Sequence, residues 1–135
     1  MAKNNQQVGN IGLYYVAFRL TQKGFNVFPT IRNAKGADIY VIDPNDNEKA
    51  IPIQVKTLSK KNPIPFGTGL DRDEKYLFLV VGVNEPKIYF TKIGTLLKNK
   101  KKNIVSHNKN GKKSHWISTK IWETFETDLN KFLKD

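Results

Sequence analysis

The side chains in this sequence best suited to act together on a phosphate are Asp38 and those of the triplet Gln54-Val55-Lys56. Asp38 offers a hard anionic oxygen that suits Mg²⁺, and the Gln54 amide offers a weaker, neutral one. The main-chain carbonyl of Val55 is a further oxygen donor. Lys56 could orient or activate an attacking water and offset the charge that builds on a phosphorane. A divalent ion held there would polarise a phosphate oxygen and lower the pKa of a bound water. The spacing by itself is a weak signal, because an acid followed by Gln-x-Lys occurs in many basic chains. The ordinary alternative is that Asp38 opens a strand after a glycine turn, while Gln54 and Lys56 form the solvated face of a half-exposed sheet.

Strand alternation shows how a fold could gather these residues. Residues 37–43 and 50–57 both read as strands. In the first, Ile39 and Val41 share one face and Asp38 takes the other. In the second, Ile51, Ile53 and Val55 share a face, with Gln54 and Lys56 opposite. If both apolar faces enter one core, the register is limited to even offsets. One such register sets Ile39 against Ile53 and Val41 against Ile51. It also sets Asp38 against Gln54, their Cβ atoms roughly 5 Å apart, and keeps Lys56 on their side. Pro44-Asn45-Asp46-Asn47 between the strands is a turn signal, read as a hairpin loop longer than two residues.

The surrounding pattern predicts a helix over residues 6–23. Val8, Ile11, Tyr15 and Phe18 recur there at helical spacing, and Gly24 stands where a glycine ends a helix. Gly9 and Gly12 each cost roughly 1 kcal/mol inside a helix relative to alanine, which points to close backbone approach or a late helix start. Residues 25–31 read as a strand. Residues 58–75 hold Pro63, Pro65, Gly67 and Gly69 and read as loop with at most a short helix. The unbroken apolar run at 76–83 predicts a strand buried on both faces, and 87–91 a fifth strand. A short helix over 92–98 would be capped by Thr91. Residues 99–114 read as a polar, basic, mobile stretch, and 115–118 as a short strand. A closing helix over 121–133 would put Ile121, Trp122, Phe125, Leu129, Phe132 and Leu133 on one face. A chain of 135 residues makes a single domain, 1–135, of the α/β class.

Gly36-Ala37-Asp38-Ile39, the hairpin, and Ile53-Gln54-Val55-Lys56-Thr57 resemble the active-site hairpin of the PD-(D/E)xK nuclease superfamily. That superfamily includes restriction endonucleases, Holliday-junction resolvases and recombination nucleases. The stretch Gly9-Asn10-Ile11-Gly12-Leu13-Tyr14-Tyr15-Val16-Ala17, ending at Lys23-Gly24-Phe25, resembles the family's first helix. The resemblance spans about residues 6–91. It implies a restriction endonuclease-like αβββαβ core, a mixed central sheet flanked by helices, here with an added C-terminal helix. It also implies Mg²⁺- or Mn²⁺-dependent cleavage of DNA phosphodiesters. Asp38 would match the family's acid and Lys56 its lysine. Gln54 would take the place of the second acid, as in the Gln-x-Lys variant of some methyl-directed restriction nucleases.

The sequence departs from that pattern twice. Many members carry a glutamate in the first helix, and the matching position here is Leu13. Asp38 is then the one carboxylate that can be assigned to the site, and one carboxylate holds Mg²⁺ poorly unless substrate phosphates help. A second reading therefore stays open: the same fold holding nucleic acid, or a protein partner, without cutting. The other departure is residues 58–75, long enough for a parallel crossover but carrying prolines and glycines where the family has a helix.

Charge favours a polyanion. Lys and Arg number 23 against 12 Asp and Glu, a net charge of +11, which suits nucleic acid and DNA first; a lysine-rich proteome would give the same balance. Arg32 and Lys35 on the turn before Asp38, Lys60 and Lys61 after the motif strand, and Lys100, Lys101 and Lys102 are candidate phosphate contacts. None is placed to read base edges, so no sequence specificity is expected. His107 and His115 lack metal-ligand spacing with each other. Trp116 and Trp122 read as core or interface anchors rather than base-stacking platforms, and Tyr40 shares the Asp38 face. Without cysteine there is no disulfide framework and no thiolate metal site. The polar first residues give no signal peptide, and no apolar run is long enough to cross a bilayer, so a soluble cytoplasmic protein without a membrane partner is expected. A homodimer would let a small nuclease present two sites to a duplex, with the apolar surface near Trp116 as the candidate interface.

Overall fold

The computed structural model describes residues 3–30, 37–67 and 75–134, with the side chains of residues 47, 48 and 109 left undescribed. Helix α1 (Asn5–Gln22) begins where Asn4 and Gln7 cap each other. The Asn4 side chain accepts from the Gln7 N–H at 2.8 Å, and the Gln7 side chain accepts from the Asn4 N–H at 3.0 Å. The helix ends before Gly24, whose φ of +97° is the left-handed turn the sequence pattern expects there. Val16 and Leu20 are fully buried, whereas Phe18, which spacing puts on the buried stripe, is 56% exposed.

Strands β1 (Asn26–Pro29), β2 (Ile39–Asp43), β3 (Asp46–Leu58), β5 (Tyr76–Val81) and β6 (Lys87–Lys92) form a five-stranded sheet in the order β1-β2-β3-β5-β6. Only the central β3–β5 pair is parallel; the other neighbours are antiparallel. Ile39 faces Ile53 and Val41 faces Ile51, the register that the two apolar faces require. The β2–β3 turn is tighter than expected. Asp43 pairs with Asp46, so the loop is Pro44-Asn45 alone, and the Asp43 carboxylate accepts from the Asn45 N–H at 2.9 Å.

Residues Val105–Lys109 (β7) and Lys112–Ile117 (β8) form a hairpin that joins β4 (Ile64–Gly67) in a second sheet of order β4-β8-β7. This corrects two expectations. The stretch read as a mobile loop holds a one-turn helix α3 (Lys100–Asn103) and this hairpin, and the described part of the crossover between β3 and β5, read as loop with at most a short helix, carries strand β4. Asn110 and Gly111, both with positive φ (55° and 77°), make the two-residue turn. That turn signal stands in the sequence between lysines rather than apolar alternation, so the hairpin does not show in hydrophobic pattern.

Two cores lie on opposite faces of the large sheet. Val16 and Leu20 of α1 pack with Ile39, Val41, Ile53, Phe78 and Phe132 on one face. On the other, Leu77, Leu79 and Tyr89 pack against Ile64, Phe66 and Ile117 of the small sheet, with Ile93, Leu96 and Trp122. Helix α2 (Ile93–Lys98) supplies Ile93 and Leu96; its N-cap is Lys92, not Thr91, which belongs to β6. The C-terminal segment also differs from expectation. In place of one helix over 121–133 it has a single turn, α4 (Thr119–Trp122), and a 3₁₀ turn over Leu129–Lys131. Between them Glu126 bridges to Phe90 at the edge of β6. Among the described residues no helix is long and apolar enough to cross a membrane.

Candidate functional site

β2 begins only at Ile39, and the chain bends just before it at Asp38. Four hydrogen bonds hold Asp38 at that bend. Its N–H donates to the Ile53 carbonyl at 2.9 Å, its carbonyl accepts from the Thr30 N–H at 2.9 Å and the Thr30 hydroxyl at 3.2 Å, and its Oδ2 accepts from the Val55 N–H at 2.8 Å. The carboxylate thus takes up the ladder position that an earlier start of β2 would have filled. Alternation alone would set Asp38 beside the Gln54 side chain. The observed contact is instead to the peptide just after Gln54, since β2 has not yet begun at Asp38 and the side chain can lie along the flank left open.

That contact brings the carboxylate to the backbone between Gln54 and Lys56. Ile53 and Val55 pack toward the α1 core, so alternation turns Gln54 and Lys56 to the face of the small sheet. In the parallel register Gln54 stands beside Leu77, and Lys56 beside Leu79, both of the second core. A strand residue's N–H and C=O point to the same flank. The Val55 carbonyl therefore faces the side on which Asp38 sits.

Asp38, Gln54 and Lys56 are all half-buried. The Lys56 ammonium lies 5.8 Å from the Phe66 ring centre, at the outer range of a cation–π contact. Among the described residues no carboxylate pairs with Lys56, the Gln54 amide makes no hydrogen bond, and Asp38 Oδ1 has no partner. Also among the described residues, no three His, Cys, Asp or Glu gather as a metal cluster. The available donors are one carboxylate oxygen, one amide oxygen and one main-chain carbonyl, all hard oxygens of the kind Mg²⁺ and Mn²⁺ take.

The remaining candidates fall into three groups. Leu13, which the sequence reading set at the place of a helix glutamate, packs against the α1 core. Lys61 pairs with Glu123 at 3.4 Å, both exposed, while Lys60, Lys100, Lys101 and Lys102 are exposed. Arg32 and Lys35 lie outside the described residues. Sequence reasoning missed Thr30, whose hydroxyl donates to the Ala37 carbonyl at 2.9 Å and whose N–H fixes Asp38; the only signal was its place at the end of the strand beside Asp38.

No protein-family model matches the chain, and no curated protein matches its sequence. Solved structures do resemble it. The Holliday junction resolvase Hjc of Archaeoglobus fulgidus, an archaeal hyperthermophile, has a TM-score of 0.58 at 12% identity, over 94% of this chain and 97% of that one. A nuclease from a fusselovirus has a TM-score of 0.56 at 12% identity, over 98% and 92%. A bacterial homing endonuclease has a TM-score of 0.54 at 14% identity, over 71% and 74%. At such identities the likeness is one of fold. The mixed five-stranded sheet with α1 on one face is the restriction endonuclease-like fold.

Proposed function

We propose that this chain is a divalent-metal-dependent nuclease that hydrolyses DNA phosphodiester bonds, with Asp38, Gln54, Val55 and Lys56 at its centre and Mg²⁺ or Mn²⁺ as its metal. The observation that supports this most is a juxtaposition of unsatisfied groups. A half-buried aspartate whose Oδ1 has no partner among the described residues reaches the backbone next to a half-buried lysine that no described carboxylate pairs with. An ordinary solvated sheet face gives no reason to tether an aspartate carboxylate to the N–H of the neighbouring strand.

Asp38 Oδ1, the Gln54 amide oxygen and the Val55 carbonyl would hold the metal. Three donors leave the rest of an octahedron to water and substrate phosphate, so metal affinity should rise when DNA is present. The metal, when bound, supplies polarisation of a phosphate oxygen and a water of lowered pKa. The Val55 N–H keeps the Asp38 carboxylate oriented. Phe66 supports the Lys56 stem, and the ammonium can hold the attacking water and stabilise negative charge on the phosphate. Arg32, Lys35, Lys60 and Lys100–Lys102 are assigned to phosphates further along the DNA, which positions the substrate without reading its sequence.

The test is cleavage of plasmid and linear DNA in Mg²⁺ or Mn²⁺ by the purified protein, Asp38→Asn and Lys56→Ala. Asparagine keeps an acceptor for the Val55 N–H and removes only the charge. Each substitution should slow cleavage by about a hundredfold or more. Equal background cleavage by all three proteins ends the catalytic claim. The second reading, a nuclease fold that binds without cutting, is favoured by one observation: Leu13 packs in the core, so α1 brings no acid to the site. It expects salt-sensitive DNA binding that Asp38→Asn leaves intact, with no metal-dependent cleavage in any of the three.

A further inference from the structure

The positive charge is not spread along the chain. Between Glu85 and Glu123 there are ten lysines and no acid, whereas the other residues hold 13 basic and 12 acidic side chains. Much of that stretch is α3 and the β7–β8 hairpin, which close the small sheet. Ile64, Phe66, His115 and Ile117 are buried on its inner side. By alternation, its outer face carries one row across all three strands, Pro65–Trp116–Val105, with Ser114 and His107 in the next.

That outer row is open to solvent. Val105 is 47% exposed, Pro65 and His107 are exposed, and Trp116 is half-buried. Pro63, Val105, His107, Trp116 and Ser118 line a cleft of about 280 Å³. This is below the roughly 300–1,000 Å³ of ordinary small-molecule pockets and suits a single planar ring. Exposed lysines stand next to its elements in the chain: Lys60 before Pro63, Lys100 to Lys102 before β7, and Lys112 at the parity of Ser114 and Trp116 on β8. β4, α3, β7 and β8 carry no acid.

We propose that this face seats an unpaired base of a nucleic-acid strand. The base stacks on the Trp116 indole between Pro65 and Val105, and these lysines hold the phosphates on either side. An apolar, aromatic-floored cleft among lysine-bearing elements matches a single strand, which presents base faces and phosphates together. A duplex hides those faces unless a base is flipped or frayed. A second copy of this chain fits poorly, because it would press one set of lysine-bearing elements, α3, β7 and β8, which hold no acid, against another. The inference rests on the reading of DNA as partner, and it adds that the preferred substrate has an unpaired segment. The face looks away from the Lys56–Phe66 contact, which lies on the inner side of the same sheet, so the two sites can be tested apart.

The experiment compares a short oligo(dT) strand with a blunt hairpin duplex of equal phosphate number, using tryptophan fluorescence and equilibrium binding. Trp122 is fully buried, so quenching reports Trp116. Oligo(dT) should quench the wild type and the duplex should not. Trp116→Ala should lose about tenfold or more in single-strand affinity while duplex affinity and duplex cleavage stay unchanged. Trp116→Phe, which keeps a stacking ring, should recover most of the loss and guards against a folding defect in the alanine variant. Unchanged single-strand affinity in Trp116→Ala overturns the proposal, as do equal losses on both ligands. A dimer in sedimentation that Trp116→Ala splits also overturns it, since a second copy then covers the face. If neither DNA binds, the DNA reading itself falls; if Asp38→Asn abolishes cleavage while Trp116→Ala changes nothing, only the base seat falls.

Discussion

Thr57 follows Lys56 on β3 and turns to the opposite face, where its buried hydroxyl meets the backbone of α1 at Gly12. That hydroxyl has no hydrogen-bond partner among the described residues. A β-carbon on Gly12 would collide with it and come within 2.9 Å of the Thr57 Cβ. Gly12 therefore sets how closely the first helix can lie over the strand that carries Lys56. Gly9 is different: nothing stands within 4 Å of where its β-carbon would be. Two glycines with the same sequence signature should then respond oppositely in urea unfolding. Gly9→Ala should gain up to about 1 kcal/mol from helix propensity. Gly12→Ala should lose about 1–3 kcal/mol from overpacking. Equal shifts in the two variants would mean that α1 does not rest on Thr57. At this scale the site was half legible. The register of Ile39 on Ile53 followed from burial of both apolar faces, so the sequence already brought Asp38 near Gln54 and Lys56. The Asp38 contact to the Val55 N–H did not follow, because alternation describes a ladder that continues and β2 begins only after Asp38.

Pattern reading found α1, the β2–β3 hairpin, β5, β6 and α2, which bury apolar residues, and also the mostly exposed β1. It missed β4 and most of the β7–β8 hairpin, whose buried residues stand among prolines, glycines and lysines, and the shape of the C-terminal segment, which polar side chains set. The β7–β8 hairpin is specified by Asn110-Gly111 and buries only alternate residues such as His115 and Ile117. The C-terminal segment has a helical apolar spacing, yet polar contacts break the helix. Glu126 Oε2 accepts from the N–H groups of Thr127 and Asp128, each at 3.0 Å, and the Asp128 side chain accepts from the Asn130 N–H at 3.0 Å. Such bonds offer the backbone an alternative to helical pairing. The segment then lies along β6 through Phe90 and delivers Phe132 to a cluster of edge-on contacts with Phe25, Tyr76, Phe78 and Phe90. The Asp128 N–H, foremost, holds the Glu126 carboxyl below its usual range, with help from the Thr127 N–H and Lys131, against a smaller upward push from burial. A lowered folded-state value means stability that is present above the ordinary glutamate range and is lost as pH falls through the folded value. Protection of residues 126–132 against hydrogen exchange, taken relative to the intrinsic rate at each pH, should therefore fall on acidification below about pH 4.5, the ordinary value. Glu126→Ala should show the reduced protection already at neutral pH, with little further change in acid. A variant that exchanges like the wild type at pH 7 would leave Phe132 as the sole anchor of the segment.

Across the whole molecule, the Asp38 hairpin and the lysine-rich elements are separate. The hairpin that carries Asp38 also carries Asp43, Asp46 and Glu48, whereas α3 and the second sheet hold six lysines and no acid. On the proposed function, a polyanion would be gathered by those elements and acted on at the Asp38 hairpin. Affinity and turnover should therefore respond to different substitutions. Each phosphate contact contributes about −0.9 to the slope of log affinity against log salt. Replacing exposed Lys100, Lys101 and Lys102 with glutamine should make that slope shallower by about 2–3 if each holds one phosphate. Binding would weaken most at low salt, and the variant and wild type would converge as salt rises. Cleavage at saturating DNA should keep its rate, because none of the three lies on the strands that carry Asp38 or Lys56. Titrations of one duplex from low to moderate salt, paired with single-turnover cleavage at saturating protein, measure both quantities. An unchanged slope would place the phosphates on another surface, and a matching fall in the saturated rate would mean that these lysines reach the reacting phosphate itself.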